Sequence, residues 1–468
     1  MGDITKEIHT SRLEINIAKL YLFFLPFRLF VQLAGLQSIV GVCANYMAFV
    51  FHVLGVMIWL INENGKISFA GLDNFSFINR AGILTIYLHL SSLVMAVAIQ
   101  ITMGNQGGES AFSGIAGMVI YFTQYFLIFV YNARVFDILD RETINYILHW
   151  VCLVLLFIGY FQVLVMNGVG GSVYDSLNIF GNLNSSGNLP KLCLTGAEGA
   201  TAGCIIAIFV FPYLLSQALY TRKKIYMLEI ILWLIPLFFT YSSTAYILTA
   251  CDILMFALLL VRSSENIQSN LKMILFIVIV LIVGVLILLE TGLFGDEAVE
   301  QIEYLLLEKV TDTSNGSTTS RTVPLLVNWG AFTEFPILGV GNGLQGYFYE
   351  KYFPTWALNV EGSDVGVFLE RSRTGIANGG VFIPSLLSGY GIVGCLFIAL
   401  FVYSLVRMNK RRKNVNGNFY SMFIIAAVAF FIAGFQGDMY GMYFAWFMLS
   451  LPLYDGTTEY NLKEDVAT

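Results

Sequence analysis

Apolar residues gather into twelve runs along the chain, at residues 19–40, 44–61, 81–101, 113–132, 145–166, 199–219, 225–240, 244–261, 273–290, 377–406, 419–436 and 439–454. Each approaches the roughly 20 residues that cross a hydrocarbon core about 30 Å thick. A peptide in lipid finds no water for its N–H and C=O groups, so each run predicts a helix, which satisfies them internally. The polar breaks at Tyr241–Ser243 and Gly437–Asp438 are short enough for helical hairpins. The pattern predicts an all-α fold: a polytopic membrane helix bundle of about 12 transmembrane helices, one integral membrane domain over residues 1–468. No internal repeat is visible, which speaks against an inverted-repeat transporter.

Composition narrows the class. Of 468 residues, 57% are hydrophobic and 12% charged, and the mean hydropathy is +0.73. Soluble domains carry about 25% charged residues, so a soluble enzyme, a disordered chain and a disulfide scaffold are excluded. No basic domain suggests a nucleic-acid partner; the lipid bilayer is the implied one. Cys152, Cys204, Cys251 and Cys395 lie in apolar runs as small hydrophobes, while Cys43 and Cys193 are expected to face outward. No Cys or His spacing suits a metal, and no cofactor is expected. The N-terminus has no cleavable signal pattern, so the first run is expected to be an uncleaved anchor.

Charge sets the orientation. With both termini cytoplasmic, 18 of the 25 Lys and Arg residues fall on inside segments and six outside, with Arg28 in the first run. The basic runs Arg222–Lys224 and Lys410–Lys413 are read as topology signals rather than as lipid or nucleic-acid sites. Two outside loops are long: Asn167 to Glu198, and a large helical extracytoplasmic loop over residues 291–376. In the latter, Asp296–Val310 has helical spacing, Thr311–Ser320 reads as a flexible Ser/Thr stretch, and Arg321–Phe335 reads as a helix with Pro324 in its first turn.

The six outside cations, Lys191, Lys309, Arg321, Lys351, Arg371 and Arg373, are the candidates for chemistry. Guanidinium groups make forked bonds to phosphate and stay charged at any working pH. The competing reading is salt bridging to the loop's own acids, Glu334 among them, and Lys309 and Lys351 are assigned to it. Within the membrane, Asp252 is expected to pair with Arg28, and His52 and His89 to be hydrogen-bond partners inside the bundle. Pro384 and its neighbouring glycines are expected to bend the long tenth run. Gly341–Gly346 matches GxGxxG in form, but no strand precedes it; a tight turn stopped by Pro336 and leading into another helix explains its glycines.

Four segments resemble the O-antigen polymerase and ligase superfamily (Wzy-type polysaccharide polymerases). The first is Ser320-Arg321, then Trp329, then Phe335-Pro336-Ile337-Leu338-Gly339-Val340-Gly341-Asn342-Gly343. The second is Asn378 followed by Gly389-Tyr390-Gly391-Ile392-Val393-Gly394. The third is Lys191 through Thr195-Gly196-Ala197-Glu198, and the fourth Ser242-Ser243-Thr244. The family's H-N histidine is Ala377 here, no arginine follows Ser243, and Gly199 stands where the family has proline. The missing loop histidine favours a polymerase over a ligase.

The resemblance implies a GT-C-like glycosyltransferase of the bacterial inner (plasma) membrane. It would join undecaprenyl-diphosphate-linked repeat units on the outer face, in O-antigen or related lipopolysaccharide biosynthesis, with a chain-length regulator (a Wzz-type co-polymerase) as partner. An acceptor hydroxyl attacks the anomeric carbon and a lipid diphosphate leaves. Preorganised cations stabilise the charge on that leaving group. Arg321, Arg371 and Arg373, supported by Lys191, are the candidates for holding the diphosphate. Arg371 and Arg373 share a face only on an extended stretch. Glu198, Asp364 and Glu370 are the candidate general bases, Glu198 first because it begins a span. Asn378 and Trp329 complete the candidate set. The alternatives are an O-antigen ligase and, from another class, a glycolipid flippase or transporter.

Overall fold

The structure, a computed structural model, describes residues 10–28, 45–69, 72–106, 108–171, 191–196, 198–263, 316–360, 369, 380–437, 439 and 441–456. The run at 273–290 and the expected helix Asp296–Val310 lie outside the described residues. The described chain is helical, and its only β pairing is two isolated bridges, Arg28–Tyr46 and Gln106–Glu109. In chain order the helices are α1 Arg12–Phe23, α2 Met47–Asn62, α3 Leu72–Met103, α4 Ala111–Ile138, α5 Arg141–Met166, α6 Gly199–Ile205, α7 Phe211–Thr221, α8 Lys224–Phe238 and α9 Ser243–Ser263. There follow α10 Gly316–Glu334, α11 Gly346–Tyr352, α12 Phe382–Arg411, α13 Asn418–Ala433 and α14 Tyr443–Ser450. A single turn, Lys413–Asn416, separates α12 from α13.

Among the described residues, six helices are long and apolar enough to cross a membrane: α3, α4, α5, the continuous Gly199–Thr221, α9 and α12. Helices α2, α13 and the segment Tyr443–Leu453 are apolar but shorter. The chain divides into two compact units. The first comprises residues 1–153, 313–423 and 430–468, and the second residues 154–312 and 424–429.

Local chemistry explains several boundaries that differ from the sequence reading. Helix α1 starts at Arg12 because Ser11 caps it, its Oγ accepting from Glu14 N at 3.2 Å. It stops at Phe23, shortly before Pro26, so Arg28 lies beyond the helix and pairs with Tyr46 in a bridge. The Ser/Thr stretch expected to be flexible is helical from Gly316: Ser320 and Thr322 donate to the carbonyls of Gly316 and Thr318. Pro324 therefore lies inside α10, not in its first turn. Between α6 and α7, Ile206–Val210 is a π-helical stretch directly before the Phe211–Pro212 start of α7. Proline lacks an N–H for the preceding turn, and a π bulge absorbs that break. Cys193, expected outside, is fully buried. Asp252 is fully buried on α9, and neither carboxylate oxygen has a hydrogen-bond partner among the described residues.

In the first unit, aromatic side chains join the helices. Trp446 of α14 stacks on Tyr125 of α4 at 4.1 Å and meets Phe430 of α13 at 5.3 Å and Phe382 of α12 at 6.0 Å. His52 Nδ1 lies 3.1 Å from Tyr443 Oη inside the unit, as expected of an internal hydrogen-bond partner; His89 Nε2 lies 3.1 Å from Thr123 Oγ1, but that pair is at the surface. The described part of the long loop is packed against these helices. Ala331, Val340, Leu344, Tyr347 and Phe348 share a core with Met95, Ala96 and Ile99 of α3 and Ala111 and Ile115 of α4. On α3 that core lies about 22 Å along the axis from Arg80, at the 1.5 Å rise per residue of a helix.

Candidate functional site

The segment Phe335–Gly343 leaves α10 at a turn and packs beside a break in α12. Gly339, Gly341 and Gly343 all have positive φ, at 74°, 89° and 95°. Gly391, inside α12, has φ 61° and ψ −166°, where the helix opens. In an unbroken helix Ile392 and Val393 donate to the carbonyls of Ser388 and Gly389. Here they donate to Pro336 O at 2.8 Å and Ile337 O at 3.1 Å. The vacated carbonyls of Ser388 and Gly389 accept from Val340 N at 2.8 Å and Gly341 N at 2.9 Å. The loop is thus spliced into the helix, and no bond in this exchange is lost. Of Pro384 and its neighbouring glycines, it is the glycine Gly391 that opens the helix; Pro384 sits in the first turn of α12, where its missing N–H costs nothing.

A buried polar cluster holds the splice. Gln345 Nε2 donates to Asn342 Oδ1 at 3.0 Å and Ser385 O at 3.1 Å, and Gln345 Oε1 accepts from Gly343 N at 2.8 Å. Ser388 Oγ donates to Asn328 Oδ1 of α10 at 2.5 Å. Asn342 Nδ2 is buried without a partner among the described residues. The amides of Gly341 and Gly343 are engaged inside the protein, so this glycine turn is a packing device and not a phosphate cradle.

The second unit shows a comparable arrangement. Lys191–Thr195 runs into the interior, with Leu192, Cys193 and Leu194 fully buried. Gln162 of α5 holds it: its Oε1 accepts from Cys193 N at 3.2 Å and Leu194 N at 2.8 Å, and its Nε2 donates to Leu194 O at 2.8 Å. Leu192 N donates to Phe239 O at 2.9 Å. A Cβ on Gly199 would lie 2.3 Å from Thr240 O, which is why glycine follows Glu198 here. Ser242, Ser243 and Thr244 are buried at the start of α9. Glu198 is the exposed N-terminal residue before α6, as expected, and Lys191 is half-buried. Sequence reading does not single out Gln162, Asn328 or Gln345; for Gln162 and Asn328 a lone amide among apolar residues is the one signal, and Gln345 is hidden within a glycine turn.

Helix α10 buries Thr319, Val323, Val327 and Ala331, a ladder four residues apart. Its other face carries half-buried Arg321 and exposed Leu325 and Trp329. The guanidinium and the indole are therefore two turns apart on one face, about 12 Å along the axis. Arg321 and Trp329 belong to the first unit, Lys191 and Glu198 to the second. Asp364, Glu370, Arg371, Arg373 and Asn378, like Lys309, lie outside the described residues.

At the end of α10, Glu334 accepts from Lys351 Nζ and Tyr352 Oη, so Lys351 is taken up by a loop acid as expected. Burial pushes the Glu334 carboxyl up, but the bonds from Lys351 and Tyr352 and the lysine charge outweigh it, leaving the carboxyl below its ordinary value. The bond that Lys351 donates to Glu334 raises the lysine in turn. A depressed carboxyl contributes stability above its unfolded pKa and loses it as pH falls through the folded one; a raised lysine contributes below its unfolded pKa and loses it as pH rises through the folded one. Protection of the α11 amides, relative to their intrinsic exchange at each pH, is therefore expected to be greatest between these ranges and to fall at low pH. In Glu334→Gln the acid limb disappears. An acid limb that persists in this variant removes Glu334 as its cause.

No family model matches the chain, and no curated protein matches it.

Proposed function

We propose that the chain is a polymerase that joins undecaprenyl-diphosphate-linked oligosaccharide repeat units into a surface polysaccharide on the outer face of the inner membrane. What supports this reading is the placement of the family-like segments. Phe335–Gly343 is bonded to Gly389–Val393, and Lys191–Gly199 packs against Phe239–Thr240, next to Ser242–Thr244. The first two, which resemble one family separately and lie far apart in sequence, meet in one built structure, and the third packs directly before the fourth.

In this mechanism the acceptor hydroxyl attacks the anomeric carbon, the new C–O bond forms, and the bond from that carbon to the diphosphate oxygen breaks. The lipid diphosphate leaves with the electron pair, and the hydroxyl proton passes to a carboxylate, Glu198 being the first candidate. Arg321, with Arg371 and Arg373 and in support Lys191, holds the diphosphate. Trp329, on the same face of α10 as Arg321, offers its ring to a sugar. Asn378 stays in the candidate set without an assigned role.

Arg321→Ala is expected to slow chain growth about 100-fold, as the loss of one charge-stabilising donor does. Arg321→Lys should restore only part, because lysine offers a point charge in place of a planar fork. The assay uses purified protein, a defined lipid-linked repeat unit and matched protein levels; undiminished polymer removes Arg321 from the mechanism. A Glu198→Gln enzyme with normal turnover removes Glu198 as the base. Deleting the gene separates the readings: single repeat units on the surface mark a polymerase, and outward accumulation of lipid-linked polymer marks a ligase. Lipid-linked units retained on the inner face mark a flippase.

A further inference from the structure

A groove of about 570 Å³ lies between the N-terminal part of α3 and the C-terminal part of α12, both in the first unit. Its body is apolar and aromatic: Phe77, Leu84 and Tyr87 on α3 face Phe397, Leu400 and Phe401 on α12. Tyr87 meets Phe397 at 4.8 Å and Phe77 meets Phe401 at 5.0 Å, which closes the floor. Four arginines line one end, Arg80 from α3 and Arg407, Arg411 and Arg412 from the end of α12, against one carboxylate, Asp73.

These arginines differ in what they already hold. Arg412 is mostly buried and donates to Asn74 Oδ1, Pro452 O and Leu453 O, with Asp73 4.0 Å away. It pins the segment after α14. Among the described residues Arg80 reaches Ser76 of its own helix alone, and its side chain is exposed. Arg407 and Arg411 are exposed, one helical turn apart, and have no ion pair or hydrogen bond among the described residues. From Arg407 to Phe397 the helix rises about 15 Å, and from Arg80 to Tyr87 about 10 Å. Cations sit at the rim and apolar walls run down from them along two membrane helices.

We propose that this groove binds one anionic diacyl phospholipid, its phosphate on Arg80, Arg407 and Arg411 and an acyl chain along the aromatic walls. The charge bias of the chain puts this end on the cytoplasmic side, in the leaflet where anionic lipids meet basic pockets between helices. A free phosphate would use the arginines and leave the walls uncovered; a zwitterionic lipid would use the walls and bring a cation against the arginines. The basic run after α12 thus has a ligand role besides its topological one, because Arg80 on a different helix completes it. This site stands independently of the proposed glycosyl transfer.

The test is native mass spectrometry of the full chain, exchanged into detergent with equal amounts of phosphatidylglycerol and phosphatidylcholine. One retained phosphatidylglycerol is expected, at least 10-fold favoured over phosphatidylcholine, a ratio worth about 1.4 kcal/mol. R80A/R407A/R411A should lose that preference while R80K/R407K/R411K keeps most of it. Leu400→Trp should reduce retention of the lipid by filling the wall while leaving the charge in place. Equal retention of both lipids overturns the proposal, as does an unchanged preference in the triple alanine variant. Displacement by millimolar inorganic phosphate, or by equimolar undecaprenyl phosphate, also overturns it, assigning the arginines to another phosphate. Preference that appears only after residues 457–468, with Glu459, Glu464 and Asp465, are removed overturns it as well, because the chain's own tail is then the occupant.

Discussion

Alanine at Gly391 is expected to destabilise the first unit by about 3–5 kcal/mol, the range of severe single substitutions. The backbone at φ 61° and ψ −166° belongs to a region that only glycine occupies without strain. Space is lacking as well: a Cβ there would lie 2.5 Å from Gly339 N and 2.5 Å from Ile337 O. Both obstacles are backbone, so no side-chain rotation relieves them. If the loop moves away, four reciprocal hydrogen bonds go with it, and in a membrane span each unmatched group costs several kcal/mol unless the helix recloses. Reclosing α12 forms two new bonds in their place and strands the amides of Val340 and Gly341 and the carbonyls of Pro336 and Ile337. A control separates strain from packing. Gly65 also has positive φ, at 76°, but nothing lies within 4 Å of an added Cβ, so Gly65→Ala should cost only about 1 kcal/mol. The measurement is thermal unfolding in detergent, with amide exchange at Ile392 and Val393. Equal shifts for the two variants would mean that the splice carries no stability.

The positions of most helices were legible because lipid makes backbone satisfaction compulsory, and hydropathy reports where a helix is required. Helices α3, α4 and α12 overlap their runs but extend beyond them or shift at the ends, since the apolar window marks the bilayer and not the helix. The splice was half legible. The glycines of Gly339–Gly343 predicted a tight turn, and those of Gly389–Gly394 marked a motif. Their meeting, about 50 residues apart in sequence, is a tertiary event that local pattern does not encode. Pro324 misled because proline favours a first turn, and here Asn328 Nδ2 bonds to its carbonyl within a longer helix. Gln162 was illegible because its three bonds go to backbone atoms, which carry no sequence signature. Of the candidate site, Arg321 and Trp329 share a helix face as their spacing implies.

Arg134→Ala is expected to cost about 3–5 kcal/mol, because it leaves buried carboxylates without their cation. Arg134 is fully buried near the end of α4. Its Nε and Nη2 donate to the two oxygens of Glu14 at 2.7 and 3.3 Å, and its Nη1 lies 3.5 Å from Glu63 Oε1. Asn62 Nδ2 adds a bond to Glu14 at 2.7 Å, and the guanidinium lies 5.5 Å from the Trp59 ring centre. One guanidinium therefore offsets two buried carboxylates drawn from α1 and the end of α2, and this ties the first helix to the bundle. The asymmetry gives the test its direction. Removing the cation alone exposes both carboxylates to a low-dielectric surrounding. Glu63→Gln removes the more distant acid and should be nearly neutral. Arg134→Met combined with Glu14→Met removes the shorter pair and should recover more than half of the single-variant loss, since apolar replacements of a buried pair are often tolerated. A double-mutant cycle on unfolding midpoints reads the coupling directly. If the double variant is as unstable as the sum of its singles, the pair contributes no coupling energy, and the fall in Arg134→Ala reflects lost packing against Trp59.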